Sequence, residues 1–183
     1  LEDAIDPKLA AGATCIRLER YDDAIEWFEK VLRLEASVEP AWAMLVGAHA
    51  SNNDHEAAET SFYMAQDALA QPSANVLVAM SGSLLTRNLA ERAIWCAQEA
   101  MKLDPEVHGG RLRLAGALVA AGQGQRASQI LLQELREDPG NVQALLLHAD
   151  VLADTGRAGE ALIKLHRVLE LEPANVDAHI RAG

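Results

Sequence analysis

The chain has 183 residues and a mass of 19.7 kDa, of which 50% of residues are apolar, so it is long enough to bury a core as one domain or one continuous array. With 34 Ala and 26 Leu but only 4% aromatic residues, the composition favours close-packed helices over sheets. A formal net charge of −11 repels phosphate backbones and anionic bilayers, and no apolar run approaches the roughly 18 residues of a membrane span, so neither nucleic acid nor direct membrane insertion is expected.

Along the chain, five segments align. They are YDDAIEWFEKVLRLE from Tyr21, HEAAETSFYMAQDAL from His55, ERAIWCAQEAMKLDP from Glu91, GQRASQILLQELREDP from Gly124 and AGEALIKLHRVLELEP from Ala158. A small residue recurs at Ala24, Ala58, Ala93, Ala127 and Ala161, in steps of 34, 35, 34 and 34 residues, with the one longer step placed near Gln71-Pro72. Phe28, Phe62, Ala97, Leu131 and Leu165 follow four residues later, and Val31, Ala65, Ala100, Glu134 and Val168 three after those. That i, i+4, i+7 spacing marks one face of a helix. Pro72, Pro105, Pro139 and Pro173 stand at or near the ends of four segments, where the missing amide donor and the restriction on the preceding residue stop a helix. Upstream of each segment runs a second amphipathic stretch, separated by short turns such as Ser51-Asn52-Asn53-Asp54, Gly122-Gln123-Gly124 and Thr155-Gly156-Arg157. Each unit therefore reads as helix, tight turn, helix. The predicted units span residues 6–38, 39–73, 74–107, 108–141 and 142–175, with 176–183 beginning a further helix.

Over essentially its whole length the chain resembles the tetratricopeptide repeat family. The resemblance rests on the 34-residue period, the regularly spaced small residues, Trp42 and Leu45 opening the second unit, Gly12 in the first, and the ends Leu103-Asp104-Pro105 and Leu171-Glu172-Pro173. It implies an all-α fold, a right-handed α-solenoid in which each repeat buries its face only against its neighbours. Repeat four departs from the pattern. Arg111 stands where the family has a large apolar residue and Glu134 where it has Ala, so this repeat is expected to be the softest. His148 takes a position usually held by Leu, either as a satisfied core histidine or as a pH-sensitive packing defect. The start without Met and the lack of a polar capping helix in Val176 to Gly183 lead us to expect a longer parent protein. An Ala-rich, Lys-poor composition suggests a bacterial source.

No catalytic constellation emerges. The six histidines include no pair at i+3 or i+4, and neither a phosphate-cradling glycine loop nor a nucleophile elbow is present. Asp22 and Asp23 are explained by the helix dipole. The two cysteines, Cys15 and Cys96, read as buried small hydrophobes and fit either side of a bacterial inner membrane. The chain is read as non-enzymatic, with no cofactor and no metal.

Function in the resembled family lies on the concave surface lined by the first helix of each unit. The carboxylate clamp that some members use is missing: the matching positions hold Leu9, Ala13, Met44, Asn75 and Ala79. The asparagine ladder of the sugar-transferase arrays is missing too, its places taken by Ala10, Met44, Ala79, Arg113 and Leu147. The groove positions are instead apolar, and the candidate site comprises Leu9, Ile16, Gly47, Val78, Gly82, Leu85, Leu112, Gly116, Val119 and Leu146. Glycine inside a helix costs about 1 kcal/mol relative to Ala, so Gly47, Gly82 and Gly116 suggest either close packing of a neighbouring helix or close approach of a ligand. Residues 1–72 carry 5 Lys+Arg and 14 Asp+Glu, which reads as a solvated face or as a docking patch for a basic segment. The expected function is a scaffold or chaperone-like adaptor holding a peptide or helix in this groove. The alternative is a structural, self-associating module of a larger bacterial secretion, polysaccharide-export or assembly protein.

Overall fold

The computed structural model describes residues 4–183, which form eleven helices and no strand. They are α1 (Ile5–Arg17), α2 (Tyr21–Leu34), α3 (Glu39–Ser51), α4 (His55–Ala68), α5 (Ala74–Thr86), α6 (Ala90–Leu103), α7 (Gly110–Ala120), α8 (Gly124–Glu137), α9 (Val142–Asp154), α10 (Ala158–Leu171) and α11 (Val176–Ala182). Two compact units result, one ending at Gly110 and the other running from Arg111 to Gly183. In the first, each odd helix packs on the even one that follows it, and α3 also packs against α1, α2 and α5. In the second, α9 packs against α8 and α10, and α10 against α11.

One backbone device makes all five turns within the pairs. Glu19, Asn53, Asn88, Gly122 and Gly156, each five residues before a recurring Ala, have φ of 57°, 60°, 57°, 71° and 75°. The next amide closes a six-residue loop onto the preceding helix: Arg20 N–H donates to Cys15 O at 2.9 Å, Asp54 to His49 at 2.9 Å, Leu89 to Leu84 at 3.0 Å, Gln123 to Leu118 at 2.8 Å and Arg157 to Leu152 at 2.8 Å. This is the Schellman arrangement, which favours Gly or Asn at the left-handed residue. Glu19 adopts the same conformation with a Cβ that opposes it. Between the pairs, side-chain caps begin α5, α9 and α11: Ser73, Asn141 and Asn175 accept from Val76, Ala144 and Ala178 N–H. The connection 69–73 is one residue longer than 35–38, 138–141 and 172–175, which is where the 35-residue step is absorbed.

The small recurring residues sit where helices cross. Ala24, Ala58, Ala93 and Ala127 are wholly buried, and Phe28, Phe62, Leu131 and Leu165 fill the space beside such positions. At the α5–α6 crossing, Ser81 Oγ donates to Ala93 O at 2.9 Å. In the first pair the close approach is made by Gly12: a Cβ built there would lie 2.5 Å from the Phe28 ring, which is itself fully buried. The core of the second unit gathers Leu145, Ala149, Leu152, Leu165 and Val168, with Ala178 of α11 closing it. Of the two cysteines, Cys96 is buried and its thiol is pushed up to about 11 by that burial, while Cys15 is only half-buried.

The two departures of repeat four meet each other. Arg111 reaches Glu134 at 3.4 Å and Glu137 at 2.5 Å, with the Arg111 side chain only 13% exposed. Asn141 Nδ2 adds a hydrogen bond to Glu134 at 3.0 Å. What each residue alone would make a packing defect is a compensated ion pair. His148 is buried, with Nε2 hydrogen-bonded to Ser128 Oγ at 2.9 Å, while its Nδ1 finds no partner among the described residues. It is thus a half-satisfied core histidine, and burial, reinforced by Lys164 and Arg157 and opposed by Glu160, holds its pKa below the usual value.

Candidate interaction surface

All ten candidate groove residues lie on odd-numbered helices, and every one is half-buried. In the first unit, Leu9 and Ile16 stand on α1, Gly47 on α3, and Val78, Gly82 and Leu85 on α5. Since α1 meets α3 and α3 meets α5, these three helices form one layer. The residues one step around the same helices are the buried ones: Trp42, Leu45, Val46 and Ala48 on α3, and Leu77, Met80, Ser81 and Leu84 on α5. The amphipathic division is therefore between core and a half-covered apolar strip, rather than between core and charge.

Gly47 decides between the two readings of its glycine. A Cβ built there meets nothing within 4 Å, so no neighbouring helix needs the space. The helix-propensity cost of glycine at this position is not offset by packing, in contrast to Gly12.

In the second unit, Leu112, Gly116 and Val119 lie on α7 and Leu146 on α9. One turn beyond Leu146, Asp150 pairs with Arg181 of α11 at 2.9 Å, and the same guanidinium donates to Leu146 O at 3.4 Å. Burial raises the Asp150 pKa, and Arg181 opposes that shift. The cation that pairs with Asp150 comes 31 residues later in the sequence, on α11. Among the described residues, no group of three or more His, Cys, Asp or Glu could hold a metal ion, and no helix is long and apolar enough to cross a membrane.

The helix pairs have known counterparts. Residues 8–37 match the family model described as tetratricopeptide repeat. The chain thus carries a tetratricopeptide repeat over residues 8–37. Its fold matches TTC0263, a thermophilic tetratricopeptide-repeat protein of Thermus thermophilus, with a TM-score of 0.86 at 19% identity over 98% of this chain and 97% of that one. PilF of Pseudomonas aeruginosa aligns with a TM-score of 0.77 at 19% identity, covering 98% of this chain and 82% of that one. YrrB, described as a tetratricopeptide-repeat protein with an unusual peptide-binding site, aligns with a TM-score of 0.66 at 17% identity, covering 98% and 92%. No curated protein sequence matches the chain significantly. At these identities the structural likeness concerns the fold alone.

Proposed function

We propose that this tetratricopeptide-repeat protein is a non-catalytic scaffold that holds an apolar peptide or helix along the half-buried strip of α1, α3 and α5, with Leu9, Ile16, Val78 and Leu85 as side-chain contacts and Gly47 and Gly82 as points of close approach. The observation that carries the reading is Gly47, a helical glycine with open space where its side chain would be. The positions Leu112, Gly116, Val119 and Leu146 offer the second unit a strip of the same character. The peptide-binding site named for YrrB makes peptide recognition a precedent on this fold.

The test begins with selection from a random peptide display library and continues with titration of a selected peptide against variants. Val78→Asp forfeits an apolar anchor worth about 1.5–3 kcal/mol and buries a carboxylate beneath the ligand. Binding falls at least tenfold, since about 1.4 kcal/mol is one decade. The half-buried position lets the variant stay folded by circular dichroism. A folded Val78→Asp protein that binds the selected peptide like wild type removes the strip as the site. Mass measurement across concentration separates this scaffold from the self-associating module, which would lose its monomer as concentration rises.

A further inference from the structure

A different face of α3 carries a second feature. Trp42, Leu45 and His49 follow i, i+3, i+7 spacing and floor a cleft of about 660 Å³, walled by α2 on one side and α4 on the other. They are not the residues of the strip described above, so nothing here depends on that reading. The walls carry Leu32 and Met64 beside two acids, Glu29 and Asp67, and one cation, Arg33. Met64 stands on the α4 wall, 54% exposed, and Glu29 and Asp67 occupy opposite walls. Ser61, only 6% exposed, leaves the α4 side of the cleft unfilled. His49 Nδ1 is buried with no hydrogen-bond partner among the described residues.

Asp67 gives the cleft a sign. It lies in the last turn of α4, where the helix dipole is negative, and that turn contains no basic residue. Glu29 has Arg33 at 3.6 Å, whereas Asp67 makes no ion pair with another described residue. The second unit shows how the same position is completed. There α8, α9 and α10 enclose a smaller cleft of about 440 Å³, with Leu145 at the register of Trp42, Lys164 at that of Ser61 and Glu170 at that of Asp67. Lys164 supplies both bulk and a cation, and Glu170 is paired with Arg167 at 2.8 Å. The first-unit cleft lacks the filler and any cation on its α4 wall; its lining cation, Arg33 of α2, lies against Glu29 and leaves Asp67 unmatched.

We infer that the α2–α3–α4 cleft docks a basic amphipathic segment of a partner protein, an apolar side chain entering between Trp42 and Met64 and a Lys or Arg reaching Asp67 and Glu29. The apolar floor supplies affinity, and the acidic walls supply the choice of partner and a faster encounter.

The experiment titrates the full chain with a fluorescein-labelled Leu/Lys peptide of about four helical turns, with its Leu/Glu counterpart as control, at a salt concentration of about 0.1 M. The Leu/Lys peptide saturates and the Leu/Glu peptide does not. Ser61→Lys, which copies the second unit's filler, and Met64→Asp each weaken binding tenfold or more. Asp67→Asn weakens it about threefold, in keeping with a solvent-exposed charge pair. Glu56→Gln, the same charge change at the start of α4, leaves it within about twofold. Should Ser61→Lys fail to fold, Met64→Asp and Asp67→Asn, both at exposed positions, decide the matter. Equal binding of the two peptides, no saturation below about 1 mM, or unchanged affinity in folded Met64→Asp and Asp67→Asn overturns the inference.

Discussion

Repeats two and four solve the same packing position in opposite ways. At equivalent places in the register, repeat two sets the large apolar Trp42 and the small Ala65, both buried, with the indole N–H donating to Ala36 O at 2.8 Å. Repeat four sets Arg111 and Glu134, which reach each other at 3.4 Å with Glu137 and Asn141 joining them. The pattern of this fold constrains the pair of positions rather than either residue: a large side chain from the first helix must meet something on the second that completes it. An ion pair does so at the cost of desolvating two charges, whereas Trp against Ala carries no such cost. The expectation that repeat four is the softest therefore turns on the net worth of this pair, and not on two separate defects.

Breaking the pair is the largest effect expected. Arg111→Ala leaves Glu134 largely buried without its guanidinium and lowers stability by about 3 kcal/mol, a loss typical of removing one partner of a buried pair. The double variant Arg111→Leu with Glu134→Ala, which restores the apolar pattern of repeat two, is neutral or more stable than wild type. Urea unfolding of the three proteins checks this. A double variant as unstable as Arg111→Ala would show that the ion pair, and not merely its completeness, sustains the repeat. Amide exchange adds the local view: with the pair intact, residues 111–135 exchange faster than residues 77–100 if desolvation prevails over attraction.

A second comparison concerns what a glycine can be for. Gly12→Ala would drive a Cβ to 2.5 Å from Phe28, a ring with no exposed surface and so no free direction in which to swing. The overpacking costs about 2 kcal/mol, visible as a lower midpoint in urea. An unchanged midpoint would mean that α1 can move away from α2 without penalty.

The period, the helix pairing and the small crossing residues were legible because each is a local volume or turn requirement repeated five times in one register. Ala24, Ala58, Ala93, Ala127 and Ala161 announce themselves by spacing alone. The Arg111–Glu134 pair was not legible, since the two residues are 23 apart and each read singly is a departure from pattern. Their occurrence in one repeat, with opposite charge, was the available signal. Glu19 was hidden for another reason: its left-handed φ of 57° is imposed by the turn shared with Asn53, Asn88, Gly122 and Gly156, against its own preference. The candidate strip was found as a row of apolar register positions, but the cleft over Trp42 was not. Its volume depends on Ser61 being small on one helix while Trp42 and Leu32 line it from two others, which no single helix face reveals.

His148 provides a comparison across pH. Its folded pKa lies below the ordinary value, so near and below pH 6.5 the unfolded chain binds the extra proton more readily than the folded one. Its contribution is full above about pH 6.5 and is lost as pH falls toward the folded value. His49 in the first unit shifts in the same direction, through burial opposed by Asp54 and Glu29. Stability measured by urea unfolding between about pH 7 and 5 falls on acidification, and His148→Leu, which restores the residue usual at this register, makes that fall shallower. An unchanged slope in His148→Leu would assign the pH dependence elsewhere.

The smallest expected effect is the most informative about function. Gly47→Ala adds a methyl group where no atom lies within 4 Å, removes the entropic cost of a helical glycine and raises stability by about 0.5–1 kcal/mol. It is the opposite outcome to Gly12→Ala from the same chemical change, and the difference is set wholly by what faces each glycine. A position where alanine would stabilise the free protein is one where glycine serves something other than folding. If a peptide backbone rides over Gly47, the added methyl holds it off, so affinity for a selected peptide drops even as the melting temperature rises. The two measurements on one variant separate the readings. A stabilised protein with weakened binding marks Gly47 as a point of contact, whereas a destabilised one would mean that the open face of α3 is closed in solution and that the strip of α1, α3 and α5 is packing surface.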